Sequence, residues 1–241
     1  MPNLRALIQG EFIRLNKYNL FAANFVVLLF WVFLVWFLEG DVLRQFIPVI
    51  FLMDSVMMTI LLVGATLFYE KKEHTINSVM VTPVTENEYL LSKILVNALN
   101  SLITVAFISL AVYLIKGVTY NYWLLVPAVL LVTVVHTLIG IRLSYSAKDF
   151  TSLLINYMIY VFVFVLPPVF AQFGLIDASV ARLFILMPPE ASSILIASGF
   201  ADIELWKILF SYGYLTLLSI LMYWFSVKPM FNEYMMKEMG V

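Results

Sequence analysis

The residues of this chain that could do chemistry are concentrated in one polar segment, from Tyr69 to Lys93, between long apolar stretches. Outside it, Asp54 is the only acid within an apolar stretch, and His136 is the second of the two histidines. Charged, partly amphipathic residues between two membrane-spanning helices suit contact with another protein. We therefore expect this segment to receive force from a motor protein, and not to catalyse a reaction.

Motifs for catalysis are absent from the sequence. It has no GxxxxGK[ST] motif or glycine-rich phosphate cradle, so we do not expect the chain to hydrolyse ATP by itself. It has no HExxH, no GxSxG elbow and no cysteine, and the histidines are predicted on opposite sides of a span. We predict a non-enzyme without catalytic, cofactor-binding or metal-binding residues, and without a nucleic-acid partner.

The composition indicates a protein that lies in a membrane. Hydrophobic residues make up 63% of the chain and charged residues only 12%. Each of six stretches is long enough to cross a bilayer, because about 20 helical residues span a hydrocarbon core of about 30 Å. We predict an all-α integral membrane protein, a single domain over 1–241, with spans at about 20–38, 46–68, 89–115, 121–142, 150–173 and 206–227.

The orientation follows from the positions of the 14 Lys and Arg residues. Four fall on one side of the predicted spans: Arg44, Lys116, Arg182 and Lys207. The other ten lie on the opposite side: Arg5, Arg14, Lys17, Lys71, Lys72, Lys93, Arg142, Lys148, Lys228 and Lys237. Because cytoplasmic loops are enriched in positive residues, we expect both termini in the cytosol and the chain in the plasma membrane.

Two shorter segments are also expected to contact the membrane. Apolar residues recur at helical spacing before the first span, at Leu4, Leu7, Ile8, Phe12 and Leu15, which favours an interfacial helix over a frayed tail. Near the outer side, an uncharged stretch from Ala191 to Ala201 is too short to span. It predicts a re-entrant hairpin that begins at Pro188 and Pro189, with an ordinary outer loop as the alternative.

The polar segment contains signals for a short helix and for the start of the next one. Ile76, Val79 and Met80 recur at helical spacing, and Pro83 stops this helix. Thr85 precedes Glu88 by three residues, as in a capping box. A solvated loop with ordinary turns is the alternative.

The stretch EKKEHTINSVMVTPVTENEYLLSK, Glu70 to Lys93, resembles the segment between the second and third spans of type 2 ATP-binding-cassette (ABC) exporter permeases. The matching positions are Glu73, Thr75, Ile76, Thr82, Pro83, Val84, Thr85, Glu88, Tyr89, Leu90 and Lys93. One departure is His74, where the family usually has glycine, so the bend before the helix is in question. The six spans and internal termini also fit this family.

The resemblance implies a permease subunit whose coupling segment, 70–88, docks on a separate ATPase subunit that binds Mg-ATP. The expected apolar docking face is Ile76, Val79 and Met80, and the expected polar rim is Glu70, Lys71, Lys72 and Glu73. Thr75, Pro83, Glu88 and Lys93 complete the predicted coupling residues. The permease would pair with a second copy or a sister permease, and substrate would move along their interface.

Three polar residues within the predicted spans are candidates for the substrate path or the dimer interface. An unpaired charge at bilayer depth is costly, so Asp54 should face a cavity or a partner, unless Ser55 or Thr59 satisfies it. Asn97 and Asn100 put amides on the third span, where hydrogen bonds between helices are the favoured alternative.

Drug or antibiotic efflux, including quinolone-like compounds, is the preferred function, with a small hydrophobic or amphiphilic substrate. One alternative is an ATP-independent secondary transporter or channel with Asp54, and His136 with it, in the pathway. Another is a membrane anchor for an ATPase that transports nothing.

Overall fold

Long apolar stretches that end at charged or turn-forming residues give this chain its helices. The computed structural model describes residues 3–75, 82–172, 174–231 and 233, and this part of the chain contains helices and no strands. In chain order the helices are α1 Leu4–Lys17, α2 Leu20–Phe37, α3 Gly40–Lys72, α4 Glu86–Lys116, α5 Tyr122–Tyr145, α6 Phe150–Ala171, α7 Ala178–Leu186, α8 Pro188–Ala197 and α9 Leu205–Phe231.

Six of these helices, α2 to α6 and α9, are long and apolar enough to cross a membrane, which confirms the predicted all-α class with six spans. Two of them are much longer than a bilayer requires. Helix α3 has 33 residues and α4 has 31, and at about 1.5 Å per residue each is close to 50 Å long. Because a hydrocarbon core is about 30 Å thick, both helices extend beyond it.

Helix α5 lies at the centre of the bundle and packs against α3, α4, α8 and α9. Its closest approach is to α3, at Gly140. A Cβ added there would lie 2.4 Å from Cγ1 of Val63 and 3.1 Å from the Cα of Ile60, so a larger residue would separate the two helices. Small residues at such contacts let membrane helices pack closely without help from the hydrophobic effect.

The bundle has two ends: the charged end, where α1 meets α3 and α4, and the cleft end, where α7 and α8 meet. At the charged end, α1 lies beside the last turns of α3 and the first turns of α4, and Tyr223 of α9 donates to Asn87 of α4 over 2.8 Å. At the cleft end, the backbone of Asn121 donates to Gly199, 2.9 Å away. There α7 and α8 meet at an angle of 89°. Pro188 and Pro189 begin α8, as the sequence predicts.

Three spans contain a π-helical turn, at Asp54–Met58 in α3, Val161–Val165 in α6 and Met222–Val227 in α9. The turn in α6 comes just before Pro167 and Pro168, where the ladder of backbone hydrogen bonds is interrupted. The turn in α3 carries Asp54 itself. Single π turns are frequent at functional positions in membrane and soluble helices.

Candidate coupling site

The end of α3 reverses the chain through a left-handed residue. Backbone N–H groups of Glu73 and His74 donate to the carbonyls of Tyr69 and Lys71, and His74 has φ of 52°. This is the usual helix C-terminus, in which glycine is preferred because it has no Cβ. The bend therefore forms with histidine at the position where the resembling permeases have glycine.

The start of α4 is fixed by a capping box and by the N-terminus of the chain. The Thr85 hydroxyl accepts from the Glu88 N–H at 3.3 Å, and the Glu88 carboxylate accepts from the Thr85 N–H at 3.0 Å. Asn3 adds its own contacts, because its N–H donates to Glu88 over 3.3 Å and its side-chain amide donates to the Pro83 carbonyl over 2.9 Å. Both ends of the connection between α3 and α4 are therefore attached to the bundle.

Behind this connection lies a buried ion cluster of Glu11, Arg14, Glu70 and Lys93. Lys93 bridges the two carboxylates: its Nζ lies 2.6 Å from Glu11 and also bonds Glu70. Arg14 lies 2.5 Å from Glu11 and 3.0 Å from Glu70. The Tyr89 hydroxyl donates to Glu70 over 2.5 Å. The cluster thus joins α1, α3 and α4 through two acidic and two basic side chains.

Three members of the ion cluster are almost completely removed from solvent, and the fourth, Arg14, is 17% exposed. The side chains of Lys93, Glu11 and Glu70 are 1%, 2% and 3% exposed. Burial raises the pKa of Glu11 above its ordinary value and the nearby Glu70 charge adds to this, whereas Lys93 and Arg14 pull it back. Removing one member of a buried ion pair leaves the other charge unpaired, which typically costs about 3–5 kcal/mol.

Around the cluster, α1 makes a second, exposed set of contacts with the end of α3. Lys17 donates to Glu73 over 2.6 Å, and this hydrogen bond lowers the pKa of the Glu73 carboxyl. The rings of Tyr18 and Tyr69 stack with their centroids 4.1 Å apart. Exposed ion pairs contribute little to stability, so the buried cluster dominates the attachment of α1.

The coupling residues predicted from the sequence occupy different environments. Glu70 lies inside the protein and not on the expected polar rim, because its charge is balanced by Lys93 and Arg14. Lys72 and Glu73 are exposed, Lys71 is half-buried, and the Thr75 hydroxyl donates to the Glu70 carbonyl over 3.1 Å. The predicted apolar face of Ile76, Val79 and Met80 lies outside the described residues.

A comparison with known proteins decides the family. The sequence profile of the fluoroquinolones export permease protein family matches residues 3–239. The chain belongs to this family. Two curated relatives, both named fluoroquinolones export permease protein, come from Mycobacterium tuberculosis strains CDC 1551 / Oshkosh and ATCC 25618 / H37Rv. Each is 26% identical over 199 residues, which cover 80% of this chain and 80% of the relative.

The permease buries the three residues that we predicted along a substrate path or dimer interface. Asn100 accepts from Asn24 of α2 at 3.1 Å, whereas Asn97 donates to the Lys93 carbonyl of its own helix over 3.0 Å. Asp54 is 3% exposed, and its Oδ1 accepts no hydrogen bond from the described residues. In this conformation the two asparagines therefore serve packing within the chain, and neither Ser55 nor Thr59 satisfies this oxygen of Asp54.

His136 of the permease is also a packing residue in this conformation. Its Nδ1 lies 2.8 Å from the Val132 carbonyl, which can only accept, so Nδ1 carries the proton. Nε2 then accepts from the Tyr160 hydroxyl at 3.1 Å, which joins α5 to α6. Among the described residues, no hydrogen bond joins His136 to Asp54, so the two do not form a relay here.

Sequence reasoning missed Glu11 and Arg14 as partners of the predicted coupling residues. A signal was present for Glu11, since it falls three residues after Ile8 and four before Leu15 on the apolar stripe of α1. An acid on a buried stripe requires a buried cation. Lys93, which is the first cation of α4, supplies it.

Proposed function

We propose that this chain is the membrane subunit of an ATP-driven exporter of the type 2 ABC class, with fluoroquinolone-like drugs as substrates. The observation that carries the proposal is the buried ion cluster, which ties both ends of the coupling segment to α1. The drug class is supported by the family and by the names of its two curated relatives. The resemblance of residues 70–93 to type 2 ABC permeases supports the coupling to ATP.

The geometry suits transmission of a displacement that is applied to the coupling segment, beyond the hydrocarbon core at the charged end. Helices α3 and α4 project beyond the hydrocarbon core, and the segment between them is anchored at Thr75 and at Pro83. A displacement applied to this segment therefore reaches both helices, and through Glu11 and Arg14 it reaches α1. Closure of a separate ATPase that binds Mg-ATP would supply the displacement, and the ion cluster would keep the three helices moving together.

The proposed orientation puts the charged end and both termini in the cytosol of a plasma-membrane protein. Lys17, Lys71, Lys72 and Lys148 lie at this end, in agreement with the distribution of positive residues in the sequence. A permease of this size provides half of a transport pathway. The second half would be another copy of this chain or a sister permease.

The proposal is tested by purifying the tagged chain from its native membrane in mild detergent, followed by mass spectrometry and an ATPase assay. We expect a stoichiometric ATPase subunit and drug-stimulated ATP hydrolysis. The variant Val79→Glu with Met80→Glu should lose the drug-stimulated activity, because charges would disrupt the predicted docking face. Val79→Ile with Met80→Leu is the matched control, which keeps the face apolar and should retain activity.

Each alternative function predicts a different result in this experiment. Recovery of the chain without an ATPase, together with drug transport driven by a proton gradient, would replace the ABC proposal with secondary transport. An ATPase that copurifies but does not respond to any drug would indicate an anchoring subunit. Normal drug-stimulated activity in the charged double variant would refute the docking face at Val79 and Met80.

A further inference from the structure

A large cleft opens at the end of the bundle opposite the ion cluster. It lies between the last residues of α6, the bent pair α7 and α8, and the start of α9, and its volume is about 1070 Å³. Drug-sized ligands occupy pockets of about 300–1,000 Å³, so the cleft has room for one such molecule. Its polar lining comes from Arg182, Glu190, Asp202, Glu204, Trp206 and Lys207.

The charges that line this cleft are only partly neutralised. Lys207 and the indole N–H of Trp206 both bind Glu204, at 2.9 and 2.5 Å. Among the described residues, by contrast, Glu190 and Arg182 take part in no ion pair or side-chain hydrogen bond. Glu190 is half-buried in the first turn of α8, and Arg182 is exposed on α7. Asp202, which is exposed, also takes part in no ion pair or side-chain hydrogen bond among the described residues. The cleft therefore presents two unpaired acids and one unpaired cation, and of the two acids Glu190 is the more buried.

We propose that this cleft binds an aromatic zwitterion, with its protonated amine on Glu190 and its carboxylate on Arg182. A guanidinium is well suited to a carboxylate because it can donate two parallel hydrogen bonds. A half-buried carboxylate favours a cation that neutralises it. Trp206, held by its bond to Glu204, is 57% exposed and offers an aromatic surface, and the Lys207 ammonium lies over its ring, 5.6 Å from the centroid. Fluoroquinolones with a basic amine have this combination of groups on a flat ring system.

The inference rests on the proposed drug-export function and adds a site to it. In the proposed orientation the cleft faces the outside of the cell, so it is a release site or a low-affinity exit site. The amine contact makes Glu190 a specificity-determining residue, because it distinguishes quinolones with a basic amine from those without one. Arg182, in contrast, contacts the carboxylate that both kinds of quinolone share.

The test is equilibrium binding of fluorescent quinolones to the purified full-length chain in lipid nanodiscs, followed by fluorescence anisotropy. One ligand carries a basic amine, and the other has the same acidic ring system without it. Glu190→Gln should weaken binding of the amine-bearing ligand about tenfold and leave the other within about twofold, as expected when a hydrogen bond between charged groups at a half-buried carboxylate is lost. Arg182→Gln should weaken both ligands to a similar extent.

Glu39→Gln is the matched control, since Glu39 is an exposed acid that precedes α3 outside the cleft, and it should bind both ligands like the wild type. If Glu190→Gln binds both ligands as the wild type does, or loses affinity equally for both, the zwitterion site is wrong. Quinolone binding by the wild type would then still support the proposed substrate class. If the wild type binds neither ligand, both the site and that substrate class are wrong. Binding of the amine-free ligand also verifies that Glu190→Gln and Glu39→Gln are folded.

Discussion

Ionic side chains have opposite environments at the charged end and at the cleft end of this permease. At the charged end, Glu11, Arg14, Glu70 and Lys93 neutralise one another away from solvent. At the cleft end, Glu190 and Arg182 line an open volume without an ion-pair partner among the described residues. Buried, mutually satisfied charges fix helices in one arrangement, whereas unpaired charges around a cavity can be neutralised by a ligand. The ion cluster is therefore suited to holding helices together, and the cleft is suited to the ligand site proposed above.

The difference has a consequence for movement. The ion cluster joins α1, α3 and α4, so these helices should move as one body when the coupling segment is displaced. The cleft is formed instead by helices that meet at a bend of 89° and by the first turn of α9. A change in that bend would alter the shape of the cleft without breaking an ion pair at the charged end.

The largest expected effect comes from removing the central cation of the cluster. Lys93→Met leaves Glu11 and Glu70 facing each other without the ammonium between them, and should lower the free energy of unfolding by about 3–5 kcal/mol. Thermal or denaturant unfolding of the purified protein in detergent measures the loss.

Lys148→Met is the control for this substitution, because it removes an exposed cation at the same end and should change stability by less than about 0.5 kcal/mol. Adding Glu70→Gln to Lys93→Met should restore part of the loss, since it removes one of the two opposed acids. Equal, small effects of Lys93→Met and Lys148→Met would show that the cluster does not hold the helices together.

A second prediction applies the same chemical change to both ends. Glu70→Gln removes the charge that Lys93, Arg14 and Tyr89 contact, and should cost about 2–4 kcal/mol. Glu190→Gln removes a charge without an ion pair and should change the free energy of unfolding by less than about 0.5 kcal/mol. The two variants are compared in parallel by unfolding in the same detergent. A large destabilisation by Glu190→Gln would mean that the cleft residue is structural, and would weaken the contrast between the ends.

Much of the fold could be predicted from the sequence, because backbone polar groups inside a bilayer must be hydrogen-bonded within the protein. A chain with 63% hydrophobic residues and uncharged stretches of span length has few alternatives to a helical bundle. Pro188 at the start of α8 and the Thr85–Glu88 capping box were also predictable, since both depend on neighbouring residues only.

The candidate site was predictable only in part, because ion pairs between distant helices leave no local pattern. Lys93 and Glu70 stood out as charged residues of the polar segment, yet their burial depends on Glu11, which is 59 residues from Glu70 in the chain. The cleft also could not be predicted from the sequence, since Arg182 and Glu190 come together with the start of α9 only through the bend between α7 and α8.

A further expected effect, smaller than those of the cluster variants, concerns the backbone, where the two ends again differ. Both use a left-handed residue, with φ of 52° at His74 and 71° at Gly174, but only the second is the residue type that this conformation favours. His74→Gly should therefore stabilise the permease by about 0.5–1 kcal/mol, whereas Gly174→Ala should destabilise it by about 1 kcal/mol. Unfolding midpoints of the two variants in detergent measure both changes.

His74→Ala is the control that removes the imidazole and keeps the strain, so an equal gain from alanine and glycine would assign the effect to the side chain. A gain from glycine alone would show that the bend at His74, within the coupling segment, is strained in this chain, and that histidine at this position lowers the stability.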